Sequence, residues 1–400
     1  MSPPRSAFGA SPPGGRRQRI GGAGSAAAAW ARPPNAARGA VLGVVFVACS
    51  AVLPSVAAEM KVAAFVDPLD APARMSPRAA VAPVNALARV DADRVVAVGA
   101  RGHILASSDR GRTWQQQRVP VSTDLLAAHF PTPAQGWAVG HDGVVLRSTD
   151  GGVSWVRMLD GRTLGALMVA HYEKRAAAGE ATVAKALEEA KRFAADGPTR
   201  PLMGVYFRDE REGWVVGQFN LILHTSDAGA SWVPWLDRSD NDEGYSMHAI
   251  GAAGNDVVIV GELGLVLRLD AAQQRFRRIK TPYPGTWFGM AASNQAVVAT
   301  GLRGSAWRST DAGATWKALA SGAASAINGG QFLADGRLVL VTQQGELLLS
   351  ADRGESFLKL PPVHGLPSAH DALAMEPGWL LVGGPRGVQR VALPPAGDAR

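Results

Sequence analysis

The sequence predicts an all-β chain: a seven-bladed β-propeller with a helical insertion between blades 2 and 3. Three observations predict it: a hairpin phrase repeated seven times, a turn phrase repeated five times at a fixed distance from it, and one interval of foreign length and composition. The hairpin phrase is an apolar strand, a tight turn and a second strand: VVAVGARGHILAS, GWAVGHDGVVLRS, GWVVGQFNLILHT, VVIVGELGLVLRL, VVATGLRGSAWRS, LVLVTQQGELLLS and GWLLVGGPRGVQRV. Its turn position falls at Gly102, Gly143, Asn220, Gly264, Gly304, Gly345 and Gly387, at intervals of 41, 77, 44, 40, 41 and 42 residues. Asparagine at the one non-glycine site is the residue that best tolerates left-handed backbone after glycine.

The turn phrase reads SSDRGRTW, STDGGVSW, TSDAGASW, STDAGATW and SADRGESF. Asp109, Asp150, Asp227, Asp311 and Asp352 are short acceptors that close a turn by bonding nearby backbone N–H groups. The glycine two residues on supplies a positive φ. The closing aromatic begins the next strand with a large face to bury. Trp114, Trp155, Trp232, Phe276, Trp316 and Phe357 each lie twelve residues beyond the hairpin turn, and unit four keeps Phe276 although its turn has become LDAAQQRF. Because each Asp is occupied by its own turn, the row is structural and holds no metal.

An inner strand ahead of each hairpin, such as 202–207, makes four strands per unit, a propeller blade. The seventh unit runs out after three strands, near Val391 to Leu393, and Lys61 to Val66 is expected to supply its outer strand. The 77-residue interval holds about 36 extra residues, 161–200. From Leu164 to Ala195 these are rich in Ala, Lys and Glu, contain no Pro, and end at Asp196-Gly197-Pro198, which predicts one or two helices with a break at Gly179.

Composition bounds the remainder. The calculated pI of 9.9 comes from residues 1–58, which hold six arginines and no acid. Removing those six charges from the formal +7 leaves +1, which excludes nucleic-acid binding as a reading of charge. Residues 1–58 read as an N-terminal extension and signal peptide: an Arg-rich start, an apolar run from Ala40 to Leu53, then Val56-Ala57-Ala58. The expected location is periplasmic or secreted. The alternatives are an uncleaved membrane anchor and a lipoprotein attached through Cys49, the only cysteine. The rest of the chain, 59–400, is expected to form the propeller. A chain without cysteine after cleavage has no disulfide and no thiol chemistry.

With strands a to d running outward from the axis, b–c turns and d–a crossovers share one face, and a–b and c–d turns share the other. The repeated Asp turns are c–d turns and lie on the second face. The insertion is a d–a crossover and lies on the first, with Arg101, Arg303 and Arg386 on b–c turns. Three arginines around one mouth would suit a carboxylate or an acidic peptide. Two more crossovers on this face are unusual: WLDRSDNDEGY, with Asp237, Arg238 and Asn241 and then His248, and TPYPGTWF, with Tyr283 and Trp287. These nine residues are the expected partner-binding set. The acid run lacks calcium-loop spacing, and no catalytic set, metal or cofactor is expected.

The five Asp turns resemble the Asp-box (BNR) repeat. From about residue 85 to 394, the hairpins, the Asp boxes, PLMGVYF, DRSDN, PYPGTWFG and GLRG are similar to the photosystem II stability/assembly factor family of secreted propellers. The resemblance implies a non-enzymatic scaffold that binds a membrane-protein partner, with an arginine patch on one face. The helical insertion departs from the photosynthetic members and leaves a photosystem partner open. The alternative function is a sialidase-like glycoside hydrolase with Tyr245 or Tyr283 as nucleophile, against which the early Arg-Ile-Pro motif is absent. A monomer is expected.

Overall fold

A computed structural model describes residues 65–395. Among these residues the strands form seven antiparallel sheets, six of four strands and a last one of three, Asp371–Glu376, Trp379–Gly384 and Gly387–Ala392. Inside each sheet the order follows the chain, and the second strand is fully buried in nearly every blade, as VVAVG, GWAVG and GWVVG require. Buried-on-both-faces strands of this kind read as continuous apolar runs.

The two faces are fixed by backbone hydrogen bonds. Five b–c turns bond the crossover entering their own blade: Ala100 N–H to Pro83 O, His141 to Asp124 O, Gln218 to Pro201 O, Glu262 to Ser246 O and Gln343 to Ala326 O. The Asp turns bond the a–b turns: Arg110 N–H to Asp93 O, Gly151 to Ala134 O, Ala228 to Arg211 O. The face assignment from strand order is therefore met.

Within an Asp box the work is divided between two side chains. Thr225 Oγ1 donates to Asp227 Oδ1 at 2.9 Å and accepts the Gly229 N–H at 2.9 Å, while Asp227 accepts the N–H and the hydroxyl of Ser231 at 2.9 and 2.6 Å. The carboxyl is thus filled from its own turn. The Thr113 hydroxyl and N–H hold the Asp109 carboxyl down at about 2. At Asp352 burial works the other way and is outweighed by Ser356 and Ser350, again giving about 2. Gly229 has φ 74°, and a Cβ there would stand 2.1 Å from the Trp137 ring of the preceding blade. The box is therefore an inter-blade joint as well as a turn. Of the six aromatic anchors, Trp155, Trp232 and Phe276 are buried, while Trp114, Trp316 and Phe357 are half-buried.

The described residues reach only the end of the strand expected to complete blade 7, Lys61 to Val66. Lys61 to Ala64 lie outside the described residues, as does the leader call at 1–58, and Phe65 and Val66 are exposed and outside any strand. Pro68, Pro72, Pro77 and Pro83 follow, and proline cannot donate to a ladder. The segment instead packs as irregular chain. Leu69 is buried with Val119, Val121 and Trp155, Pro68 O accepts the Ser122 N–H at 2.8 Å, and the short turn Ala79–Val81 packs against the last strand of blade 7.

Blades 7 and 1 meet directly. Asp371 accepts the Leu87 N–H at 2.8 Å, and Glu376 is bracketed by Arg110 and Arg112 of the first Asp box at 3.2 and 3.0 Å. A side-chain strap also runs around the axis. Most inner strands are bulged after their first residue, and the bulged side chain bonds the next blade: Asn85 to Leu125 O, His248 to Trp287 O and Asn328 to Ala369 O, at 2.8, 2.6 and 2.8 Å. His370 closes the circle onto Val84 O at 2.9 Å.

The insertion forms two helices, α1 (Gly161–Ala177) and α2 (Ala184–Asp196). Asp160 caps α1, accepting from the N–H groups of Arg162 and Thr163 at 3.0 and 3.1 Å, and Gly179 breaks the run at φ 89°. The buried stripe is Leu164, Met168 and Tyr172, then Val183, Ala186, Ala190 and Phe193. Of the residues that spacing places on this face, Met168, Tyr172, Val183 and Ala190 are buried, Leu167, His171 and Leu187 are half-buried at its edge, and Lys191 is exposed. No helix of the described residues is long and apolar enough to cross a membrane.

Candidate partner-binding face

On the first face the insertion stands beside the blade 3 turn and the DRSDN crossover, and the three enclose a groove of about 720 Å³. Asn220 organises it. Its left-handed backbone (φ 60°) lets the side chain reach outward, where Oδ1 accepts from Ser239 Oγ and Asn241 Nδ2 at 2.7 and 3.1 Å and Nδ2 donates to Leu236 O at 2.9 Å. Glycine would satisfy the turn but could not hold the crossover. The preference for Asn at this one turn was visible in the sequence; its second task was not.

Tyr172 pins the insertion to the same crossover. Its hydroxyl donates to Asp237 Oδ1 and accepts the Leu236 N–H, both at 3.0 Å, and Arg175 binds Asp237 Oδ2 at 2.9 Å. Burial, with the Asp237 carboxylate beside it, pushes the Tyr172 hydroxyl far above its ordinary range. Arg275 ties the other end, bonding Asp240 Oδ1, Asp237 O and Ser239 O at 2.8, 2.6 and 3.1 Å. The acidic run is therefore consumed largely in fastening the loop. The described residues contain no cluster of three or more potential metal ligands.

The nine expected residues divide. Arg101, Arg303 and Arg386 are exposed and form no ion pair among the described residues, and Arg101 and Arg303 are held at φ 57° and 53°. They do not line the groove; Arg101 borders a separate cavity of about 530 Å³ with Arg74 and His103. The expectation that arginines, crossover and insertion converge is thus met for the last two only. Asp237 is engaged by Tyr172 and Arg175 and borders the groove. Arg238 lies over the Trp235 ring at 5.3 Å. Tyr283 is half-buried against Trp287 at 4.3 Å between centroids. His248 belongs to the axial strap.

Two residues need correction as exposed contacts. Asn241 is 2% exposed because its amide is folded back onto Asn220 and the backbone of Tyr245. Trp287 is 0% exposed because the first inner-strand position faces the neighbouring blade, whereas Phe288, at the bulge, is half-buried beside His248. Burial alternates strictly along this strand, so the register of its first residue assigns both.

Phe219 was not anticipated. It is 53% exposed, sits at φ 52° in the blade 3 turn and borders the groove, with the Arg200 guanidinium 5.0 Å from its ring.

Fold and face together define a seven-bladed Asp-box propeller with its elaboration concentrated on the b–c side. The sequence model of the family described as "Photosynthesis system II assembly factor YCF48" matches residues 75–170 and 193–362, and the chain belongs to that family. A relative called photosystem II assembly lipoprotein Ycf48 from Synechococcus sp. (strain CC9902) is 28% identical over 165 residues, covering 40% of this chain and 48% of the relative. One of the same name from Prochlorococcus marinus (strain MIT 9313) is 32% identical over 160 residues, covering 38% and 47%. The chain thus matches about half the length of these relatives. A solved structure described as "YCF48 bound to D1 peptide" superimposes with a TM-score of 0.56 at 17% identity, covering 79% of this chain and 94% of that one, which is a likeness of fold.

Proposed function

We propose that the chain is a non-enzymatic scaffold that acts outside the cytoplasm and uses its first face to hold an extended acidic segment of a membrane protein during assembly or maintenance of a complex. The observation that carries this reading is the set of three exposed arginines, Arg101, Arg303 and Arg386, on b–c turns of one face and without ion pairs among the described residues. A cation freed from internal partners is available for a carboxylate, and arginine offers two parallel donors to it. Family membership supports the reading, as does the solved relative described with a D1 peptide bound. The lipoprotein name of the relatives agrees with an exported location, toward which the leader at 1–58 also points.

The sialidase alternative is disfavoured by geometry. Tyr283 packs at a tilt against Trp287, Tyr245 lies under Arg278 at 5.5 Å, and the three arginines stand on surface turns rather than in inner strands. The test is capture of partners from solubilised membranes by the wild-type chain and by an Arg101→Ala, Arg303→Ala, Arg386→Ala variant. Loss of the captured membrane protein in the triple variant is expected. Equal recovery by both refutes the arginine face as the site.

A further inference from the structure

We infer that the groove between α2 and the Leu236–Gly244 crossover is a second recognition site, which takes a short extended peptide segment of no net charge and seats an apolar side chain on Phe219. The inference rests on the scaffold reading above and adds a position and a chemistry to it.

Four observations lead there. The first is size: about 720 Å³ falls within the ~300–1,000 Å³ of ordinary ligand pockets. The second is charge. The groove's cations are already engaged: Arg192 with Glu189 and Arg200 with Asp196, each at 3.0 Å, Arg275 with Asp240 at 2.8 Å, and Lys185 with the Asp242 carbonyl. A phosphate or lipid headgroup would have to break these pairs. A peptide main chain, carrying donors and acceptors in alternation, need not. The Gln218 amide and the Thr182 and Thr199 hydroxyls line the groove and have no hydrogen-bond partner among the described residues, so they remain for such a chain.

The third is Phe219 itself. A bulky residue at positive φ is a strained outlier. The strain displays a half-exposed ring at the groove, and exposed aromatics in such settings are the usual anchors of interfaces. The fourth is that the family match is interrupted at 171–192, which contains Tyr172, Lys185 and Glu189. The outer wall of the groove and the clamp that holds it are therefore additions to the family fold, and they would select the segment this chain binds.

The test uses the full chain and fluorescein-labelled hexapeptide mixtures, acetylated and amidated at their ends, each fixing one residue at one position, read by fluorescence anisotropy. Neutral mixtures with an apolar residue at one fixed position should bind. Phe219→Asn, which suits the left-handed turn, should weaken binding at least about 10-fold with a melting temperature no lower than that of the wild type, and Phe219→Tyr should restore binding. The triple arginine variant should bind the hexapeptides as wild type does.

The inference is overturned by equal binding to Phe219→Asn, by preference for acidic mixtures, or by binding that appears only after residues 1–58 are removed, which would make the chain's own leader the occupant. A dimer that dissociates on Phe219→Asn would make a second copy the occupant and overturns it equally. Partner capture that persists without hexapeptide binding sinks the groove alone; hexapeptide binding without partner capture upholds the groove and sinks the scaffold reading.

Discussion

Replacing Tyr172 with Phe would remove one oxygen and leave the ring in place. That oxygen accepts the Leu236 N–H and donates to Asp237, each at 3.0 Å, in a site where Tyr172 is fully buried. The orphaned N–H costs about 1–3 kcal/mol, and a hydrogen bond to a carboxylate is worth about 1.5–3 kcal/mol. Arg175 still holds Asp237 at 2.9 Å, so the two losses should not add in full. A weakening of roughly 2–4 kcal/mol in the docking of α1 on the crossover is expected. By hydrogen exchange with mass spectrometry, peptides within 161–177 and 236–244 should exchange roughly 30- to 700-fold faster. The blades, held by their own joints, should not change. Exchange within about 3-fold of wild type in both segments would refute the clamp and with it the fixed outer wall of the groove.

Two further outcomes follow from the ring closure. Leu69→Ala should destabilise the propeller by about 2–4 kcal/mol in urea, because Leu69 is buried between Val121 and Trp155. A chain that starts at Asp67 should melt as the full chain does; a large loss on that truncation would restore the missing-strand closure. At Asp371, burial raises the carboxyl from 3.8 to about 6 against the Leu87 and Ala372 N–H groups that oppose it. Between those values the unfolded chain gives up its proton while the folded chain keeps it, so stability should fall as pH rises from 4 to about 6. Asp371→Asn should flatten that slope in urea melts, and an unaltered slope would remove Asp371 as its cause. The Asp boxes act in the opposite sense and lower down, stabilising above about 4 and failing as pH falls toward 2.

How much was legible depended on whether a feature repeats. The blade count, the faces and the Asp boxes came from spacing, since each repeat imposes the same local chemistry and reports it several times over. The helices were legible from composition and from Gly179 and Gly197, and the face set by helical spacing holds Met168, Tyr172, Val183 and Ala190, which are buried, together with Leu167, His171 and Leu187, which are only half so. Helical spacing marks a face, while only the sheet beneath decides which part of it is covered. Trp287 was placed on the partner face, yet burial alternates strictly along its strand from that residue on, so Trp287 is buried and Phe288 is the half-exposed neighbour.

The proposed partner face was legible in part for the same reason. Arg101, Arg303 and Arg386 were assigned from turn positions alone and are exposed there. Phe219 carried a signal that was present and unread: it precedes the one asparagine among the glycine turn sites. Asp237 and Asn241 looked like a charged and polar display. In the folded chain they are bound inward, by Tyr172 from 65 residues upstream and by Asn220 from 21.

The sequence by itself determined the propeller, its seven units, its two faces and the place of the insertion, because those follow from local turns repeated at a constant interval. Only the tertiary structure decided how the ring closes, which polar groups remain free, and that the insertion makes a groove with the DRSDN crossover. Those outcomes depend on contacts between residues far apart in the chain, and no local pattern records which donor a given acceptor will meet.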